Sequence, residues 1–498
     1  FTDHDLGERA LVSVNLEGKD KRVLARGKNV REFRVSPDSK WLAFTEQFNA
    51  YILPMPNTDK PVKLSRSMTS LPVKKVSRRS GEFLHWSPDS QSLHWSNGST
   101  LYSRELKDAF AFIDGAPETL PEAVEEGLDL SFNTQADKPA SIIALTGARI
   151  ITMRNAQEEQ EVLEGSTLLI ANNRIAAIGK DGSLDIPVSA KVFDMSGKTI
   201  IPGLVDVHAH GSMASYELTP EQNWKQYSNL AFGVTTIHDP SNDSSEIFSH
   251  AEMQRKGQVL GPRTFSTGRI IYGAPSPGYE AIIDSYDDAL FHVQRLKDSG
   301  AISVKSYNQL RRDSRQQVIA AAAKLGIMVV PEGGMKFQHN LNHISDGHTG
   351  VEHALPLGKI YKDVIDFWSK SNAGYTPTIG VAYGGIWGEN YWYDRTEVWK
   401  NERLMRYAPR SIVEPRAMRR TTAPDEHYNH IKVAAEAKKL RDAGVKVNVG
   451  AHGQREGLAA HWEMWMLEQG GFTSWEALRA GTIDGAYYIG TENDIGSL

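Results

Sequence analysis

Two histidines one residue apart, His208 and His210, stand at the end of an apolar run, residues 201–207. In an extended strand, side chains two positions apart share a face. Both imidazoles therefore aim at one point, while Ala209 turns the other way. Pro202 and Gly203 lead into the run, and Gly211 lets the chain turn off directly after it. Two convergent imidazoles are half of a transition-metal site. A bare His-X-His pair also occurs as surface histidines on an edge strand, but the apolar run and its Pro-Gly lead-in favour the metal reading. The chain has no cysteine, which removes disulfides, thiolate zinc sites and cysteine nucleophiles. Histidine, carboxylate or a modified lysine must hold any metal.

Other residues fit for ligand or acid–base chemistry also close apolar runs. Lys305 ends 301–305, Glu332 ends 327–332, His353 ends 349–353 and His452 ends 445–452. His238 and Asp239 end 233–239, a pair that could orient substrate or brace the site. His339 and His343 are four apart and share a face if their segment is helical. With 201–207, 263–268 and 374–378, the runs number eight, and helical patterns such as 220–231, 312–325 and 428–443 separate several of them. That alternation argues for an α/β chain with a (β/α)8 TIM barrel over 201–498, whose chemistry gathers at the C-terminal ends of its strands. After the seventh run, Tyr383, Trp387, Tyr391, Trp392 and Tyr393 make an aromatic, Gly-rich loop, either a lid or pocket wall or ordinary packing.

Upstream, 33–44 (Phe-Arg-Val-Ser-Pro-Asp-Ser) recurs as 84–95 (Leu-His-Trp-Ser-Pro-Asp-Ser). Each copy reads as a strand, a Ser-Pro-Asp turn and two more strands, and short strands at a period of about fifty residues mark a propeller blade. Residues 1–106 resemble the blades of TolB-like periplasmic propellers, which implies a partial all-β propeller and a periplasmic or secreted setting. A small isolated sandwich with a chance repeat is the alternative. Two blades cannot close a ring, and Phe1 falls inside the repeat, so a missing N-terminus is expected. Residues 107–140, acidic and Pro-containing, read as a linker with one short helix. Residues 141–200 read as alternating strands split by turns at 164–166 and 172–174.

The segments 148–151, 168–179 and 192–210, ending in Ile-Pro-Gly-Leu-Val-Asp-Val-His-Ala-His, resemble the opening of a metal-dependent amidohydrolase, of the imidazolonepropionase and prolidase-like branch. The likeness runs from near residue 142 to the end. It implies a small β-sandwich domain over 141–200, completed by strands that should begin about where this chain stops. A truncated C-terminus is therefore expected too. It implies that His208, His210 and His353 are metal ligands, and that Lys305 is carbamylated and bridges two ions. A lysine snorkelling to the barrel rim is the plainer reading of Lys305. Glu332 stands where the family usually has a histidine, an acceptable ligand exchange. His452 stands where the family usually has an aspartate; it can act as general base, become a further ligand or leave the site inert. His238 and His339 are expected near substrate, and one of the loop histidines is an alternative to Glu332.

A net charge of −5 with interspersed signs suggests no nucleic-acid surface, and apolar stretches of strand length argue against a membrane span. The resulting expectation is a hydrolase with one or two divalent ions, zinc foremost. It would cleave a C–N bond in an amide, dipeptide-like or cyclic amide substrate, as a monomer or oligomer. A deaminase on the same barrel is disfavoured, since a mononuclear site does not need Lys305. The rival from another class is a catalytically impaired barrel in a propeller-based binding or scaffold protein.

Overall fold

The computed structural model describes the chain except residues 6–7, 155–160, 216–217 and 273–280. The chain divides into two compact units, 1–133 with 269–327 and 134–268 with 328–498.

In the first unit, the strands of residues 1–133 form three four-stranded sheets. The two copies of the repeat form matching hairpins, Val30–Val35 with Trp41–Glu46 and Glu82–Trp86 with Ser92–Asn97. Their turns explain the Ser-Pro-Asp-Ser sequence. Ser36 Oγ donates to Asp38 Oδ1 (2.6 Å), which also accepts from Lys40 N (3.0 Å). Ser87, Asp89 and Gln91 repeat the pattern at 2.5 and 3.0 Å. The last turn residue, Ser39 or Ser90, takes a positive φ of 59° or 62°. The strands Trp41–Glu46 and Asn49–Pro54 bury both faces, Leu42 and Phe44 in one core and Ala43 and Ile52 in a second that also holds Leu93 and Trp95. Residues 107–140 lack the α-helix expected there. A 3-10 turn, Leu106–Asp108, and a short strand, Leu128–Asp129, take its place, since Pro117 and Pro121 withhold amide donors that a helix needs. The helices Tyr286–Asp298 and Arg312–Leu325 flank the strand Ser303–Ser306.

In the second unit, the strands of 141–200 form one mixed five-stranded sheet. All its strands join one ladder, and its buried Ala148, Ile150 and Leu168 pack with Leu498. Beyond it runs a parallel array. Arg263–Ser266 pairs with Val234–Asp239, which pairs with Leu204–Asp206. Val207 N donates to Val449 O, and Tyr375 bridges Val447. Gly374–Thr376 pairs with Gly350–Glu352, and Thr349 N reaches Val329 O beside Met328–Pro331. Seven of the eight expected barrel segments thus line up in chain-consistent order, as a TIM barrel requires. The eighth, Ser303–Ser306, belongs to the first unit. The run 445–452 makes a single bridge and is not a full strand, for a reason that lies in the site.

Candidate metal centre

His208 is fully buried, and the side chain of His210 is 31% exposed. Their Nε2 atoms lie 3.0 Å apart. The other nitrogen of each ring meets a buried carboxylate: His208 Nδ1 is 2.5 Å from Glu352 Oε2, and His210 Nδ1 is 3.1 Å from Asp239 Oδ1. An ionised carboxylate only accepts, so in the neutral rings each Nδ1 holds the proton and each Nε2 presents a lone pair. Two lone pairs 3.0 Å apart repel unless a cation lies against both. The donor set therefore fits a divalent metal, with the carboxylates orienting the imidazoles from behind.

His452 brings a third ring, with centroids 5.1 Å from His208 and 4.8 Å from His210. One nitrogen from each of the three falls within 4.8 Å of the others. His353 lies close by, its ring 4.8 Å from that of His208. Its own nitrogens turn elsewhere, Nε2 to Glu332 Oε1 (3.0 Å) and Nδ1 to Thr378 Oγ1 (2.8 Å). Glu332 and His353 thus make a second donor pair beside the first group. His353 and His452 both sit at positive φ, 70° and 59°, a sparsely populated region that surrounding packing must hold.

Glycines explain how residues 450–453 come so close. A Cβ on Gly450 would stand 2.8 Å from His208 Cβ and 2.6 Å from Thr376 Cγ2, and one on Gly453 would collide with the His210 carbonyl. Flanked by these glycines, the chain breaks out of strand pairing and lays His452 against the pair, its N–H donating to His208 O at 2.6 Å. Below, Asp206 Oδ1 accepts from His208 N (3.2 Å) and Ala451 N (3.0 Å), and burial pushes its carboxyl up to about 6.

The remaining expected residues are placed as follows. His238 is fully buried, with Nδ1 3.1 Å from Val207 O, and its carbonyl accepts from Ala209 N; it braces the His208 segment. His339 lies on the helix Phe337–Asp346, its ring 4.4 Å from His343, which is 4.6 Å from His348. Lys305 lies in the first unit, buried in the strand Ser303–Ser306. The aromatic loop is partly the helix Gly388–Arg395, where Trp392 stacks on Trp462 and Tyr393 is buried. Tyr383 keeps its ring 5.8 Å from that of His353. Sequence reasoning passed over Glu352, Thr378 and Tyr488, whose hydroxyl donates to Glu352 Oε1 at 3.0 Å. For Glu352 a signal existed: an acid in a strand position directly before His353.

No family model matches the chain. A dihydroorotase of Geotalea daltonii is 25% identical over 220 residues, 43% of this chain and 47% of that protein. An imidazolonepropionase of Vibrio cholerae is 38% identical over 66 residues, 13% of this chain and 16% of that one. The chain thus spans less than half the length of either. Among solved structures, a Xaa-Pro dipeptidase with bound methionine in its active site matches with a TM-score of 0.53, 19% identity and coverage of 72% of this chain and 91% of that one. The ochratoxinase of A. niger gives 0.52 and 17%, covering 72% and 87%. The two solved structures share the fold of this chain, and the curated relatives bear the names of enzymes that act on C–N bonds. Among the described residues, no helix is long and apolar enough to cross a membrane.

Proposed function

We propose that this chain is a metal-dependent hydrolase that cleaves a C–N bond in an amide, dipeptide-like or cyclic amide substrate. The observation that carries the reading is the facing of the His208 and His210 Nε2 atoms at 3.0 Å, each ring backed by a buried carboxylate. His208 and His210 would hold the ion, and Glu332 with His353 would supply the donors for a second. Lys305 keeps its proposed role as a carbamylated ligand, checked by a mass increment of one CO2 on its peptide. When bound, a divalent ion supplies a nucleophile at neutral pH and polarises the carbonyl under attack. Glu352 and Asp239 hold the imidazoles in one tautomer and one orientation. His339 is the proposed neighbour of substrate, while the burial of His238 favours its alternative role as a brace of the site. The repeat-bearing sheets are read as propeller blades, and the setting as periplasmic or secreted, by resemblance alone.

His452 has two readings. Arg416 only donates, so its bond to Gln454 Oε1 (3.1 Å) turns Gln454 Nε2 towards His452 Nδ1 (3.5 Å). That leaves the His452 proton on Nε2, opposite to His208 and His210, and suits a group that passes a proton to the leaving nitrogen. The spacing within 4.8 Å favours a third ligand instead. The test of the whole reading is metal content of protein supplied with zinc or manganese, joined to turnover of an amide, dipeptide and cyclic-amide panel. Near-stoichiometric metal with turnover is expected. Absence of both would transfer the chain to the scaffold reading.

A further inference from the structure

Tyr488 ends the helix Ile483–Tyr488 and is only 4% exposed. Its ring enters a slot cut by two glycines, Gly350 and Gly374, which are paired across neighbouring parallel strands. A Cβ on Gly350 would stand 2.7 Å from Tyr488 Cε2, and one on Gly374 would stand 2.9 Å from Cδ2. Neither position has room for a side chain while the ring is there. Residues two apart along a strand share a face, so Glu352 projects from the same face as Gly350. The Tyr488 hydroxyl reaches it, donating to Oε1 at 3.0 Å, while Oε2 lies 2.5 Å from His208 Nδ1. Burial, and then the Glu352 charge, hold the phenol well above its ordinary value, so it keeps the proton it donates.

The two oxygens of one fully buried carboxylate thus have different partners. An apolar side chain would fill the slot as well, but it would take this donor from Oε1. A buried carboxylate that loses a donor is costly, and it turns about its last bond to find another. We infer that Tyr488 is a positioning residue: by holding Oε1 of Glu352 it keeps Oε2 on His208 Nδ1, and so fixes the proton and the plane of that imidazole. The consequence for a bound ion rests on the hydrolase reading above; the orientation of His208 does not.

Low-field proton NMR of the metal-stripped full chain reads the His208 Nδ1 proton, assigned by its absence in His208→Gln. Tyr488→Phe keeps the ring and drops the hydroxyl, so the resonance should move upfield and exchange faster with solvent. In chelator competition, Tyr488→Phe should weaken zinc about three- to tenfold, less than the loss expected for a direct partner of the histidine. On a Glu352→Gln background the same substitution should change zinc affinity by less than about twofold, because the two residues act as one unit. Tyr488→Leu joined to Gly350→Ala refills the slot without a hydroxyl and gives the same readings if circular dichroism shows Tyr488→Phe unfolded. An unmoved resonance in a folded variant without the hydroxyl overturns the assignment. So does zinc that binds the unaltered chain and such a variant alike, or an equal loss on the Glu352→Gln background, which packing alone would give. A resonance that moves in a chain taking no zinc refutes the metal reading and leaves Tyr488 as the residue that orients His208.

Discussion

Glu352→Gln is the most searching perturbation, because it removes a charge and almost no volume. Glu352 and His208 are both fully buried, 2.5 Å apart, so solvent screening gives no reason to discount their interaction. Changing a partner behind a metal-ligating histidine weakens metal binding roughly 10–100-fold, which is about 1.4–2.7 kcal/mol. Glu352→Gln should therefore loosen zinc or manganese by one to two orders of magnitude. Competition against a chromophoric chelator measures this directly. Glu397→Gln, which removes an exposed partner of Lys400, is the control and should change nothing. Metal affinity within twofold of the unaltered protein in folded Glu352→Gln would refute the reasoning, since the carboxylate would then be packing and not orienting.

Three further outcomes are expected. His452→Ala should keep the metal and lose turnover by about 10²-fold or more if His452 carries a proton, whereas loss of the metal itself would make it a ligand. Gly450→Ala should destabilise the fold by about 1–3 kcal/mol through overpacking against His208 and Thr376; an unchanged melting temperature would show that the segment can give way. Burial pushes the Glu463 carboxyl up to about 8, although it accepts from Ile379 N and Gly380 N. The folded chain therefore keeps a proton that the unfolded chain releases, and stability falls as pH rises between the unfolded carboxylate range and about 8, by up to about 1.4 kcal/mol per pH unit. Glu463→Gln should flatten that slope in melting temperatures taken across pH 5–8 (a window set by the linkage), and parallel slopes would count against it.

Periodicity made the parallel array legible, because fully buried strands read as apolar runs whose ends stand out when a histidine, lysine or acid follows. Leu204–Asp206, Val234–Asp239 and Gly350–Glu352 lie within the runs that predicted them. The 445–452 run misled, since Val445, Val447 and Val449 alternate as a strand would, yet what ends its pairing is the close approach of Gly450 and Gly453 to residues far away in sequence. The linker helix misled for a local reason, two prolines.

By itself, the sequence determined which side chains could bind a cation and that two of them, His208 and His210, must converge. Alternation along extended backbone is a local property and needs no partner, and it carries past the end of the paired strand at Asp206. Tertiary structure alone decided that Glu352 and Asp239 stand behind those rings, that His452 joins them while His353 turns to Glu332 and Thr378, and that Tyr488 meets Glu352. These are distances between segments separated by tens to hundreds of residues. They depend on how the strands pack side by side, which no single stretch of chain encodes.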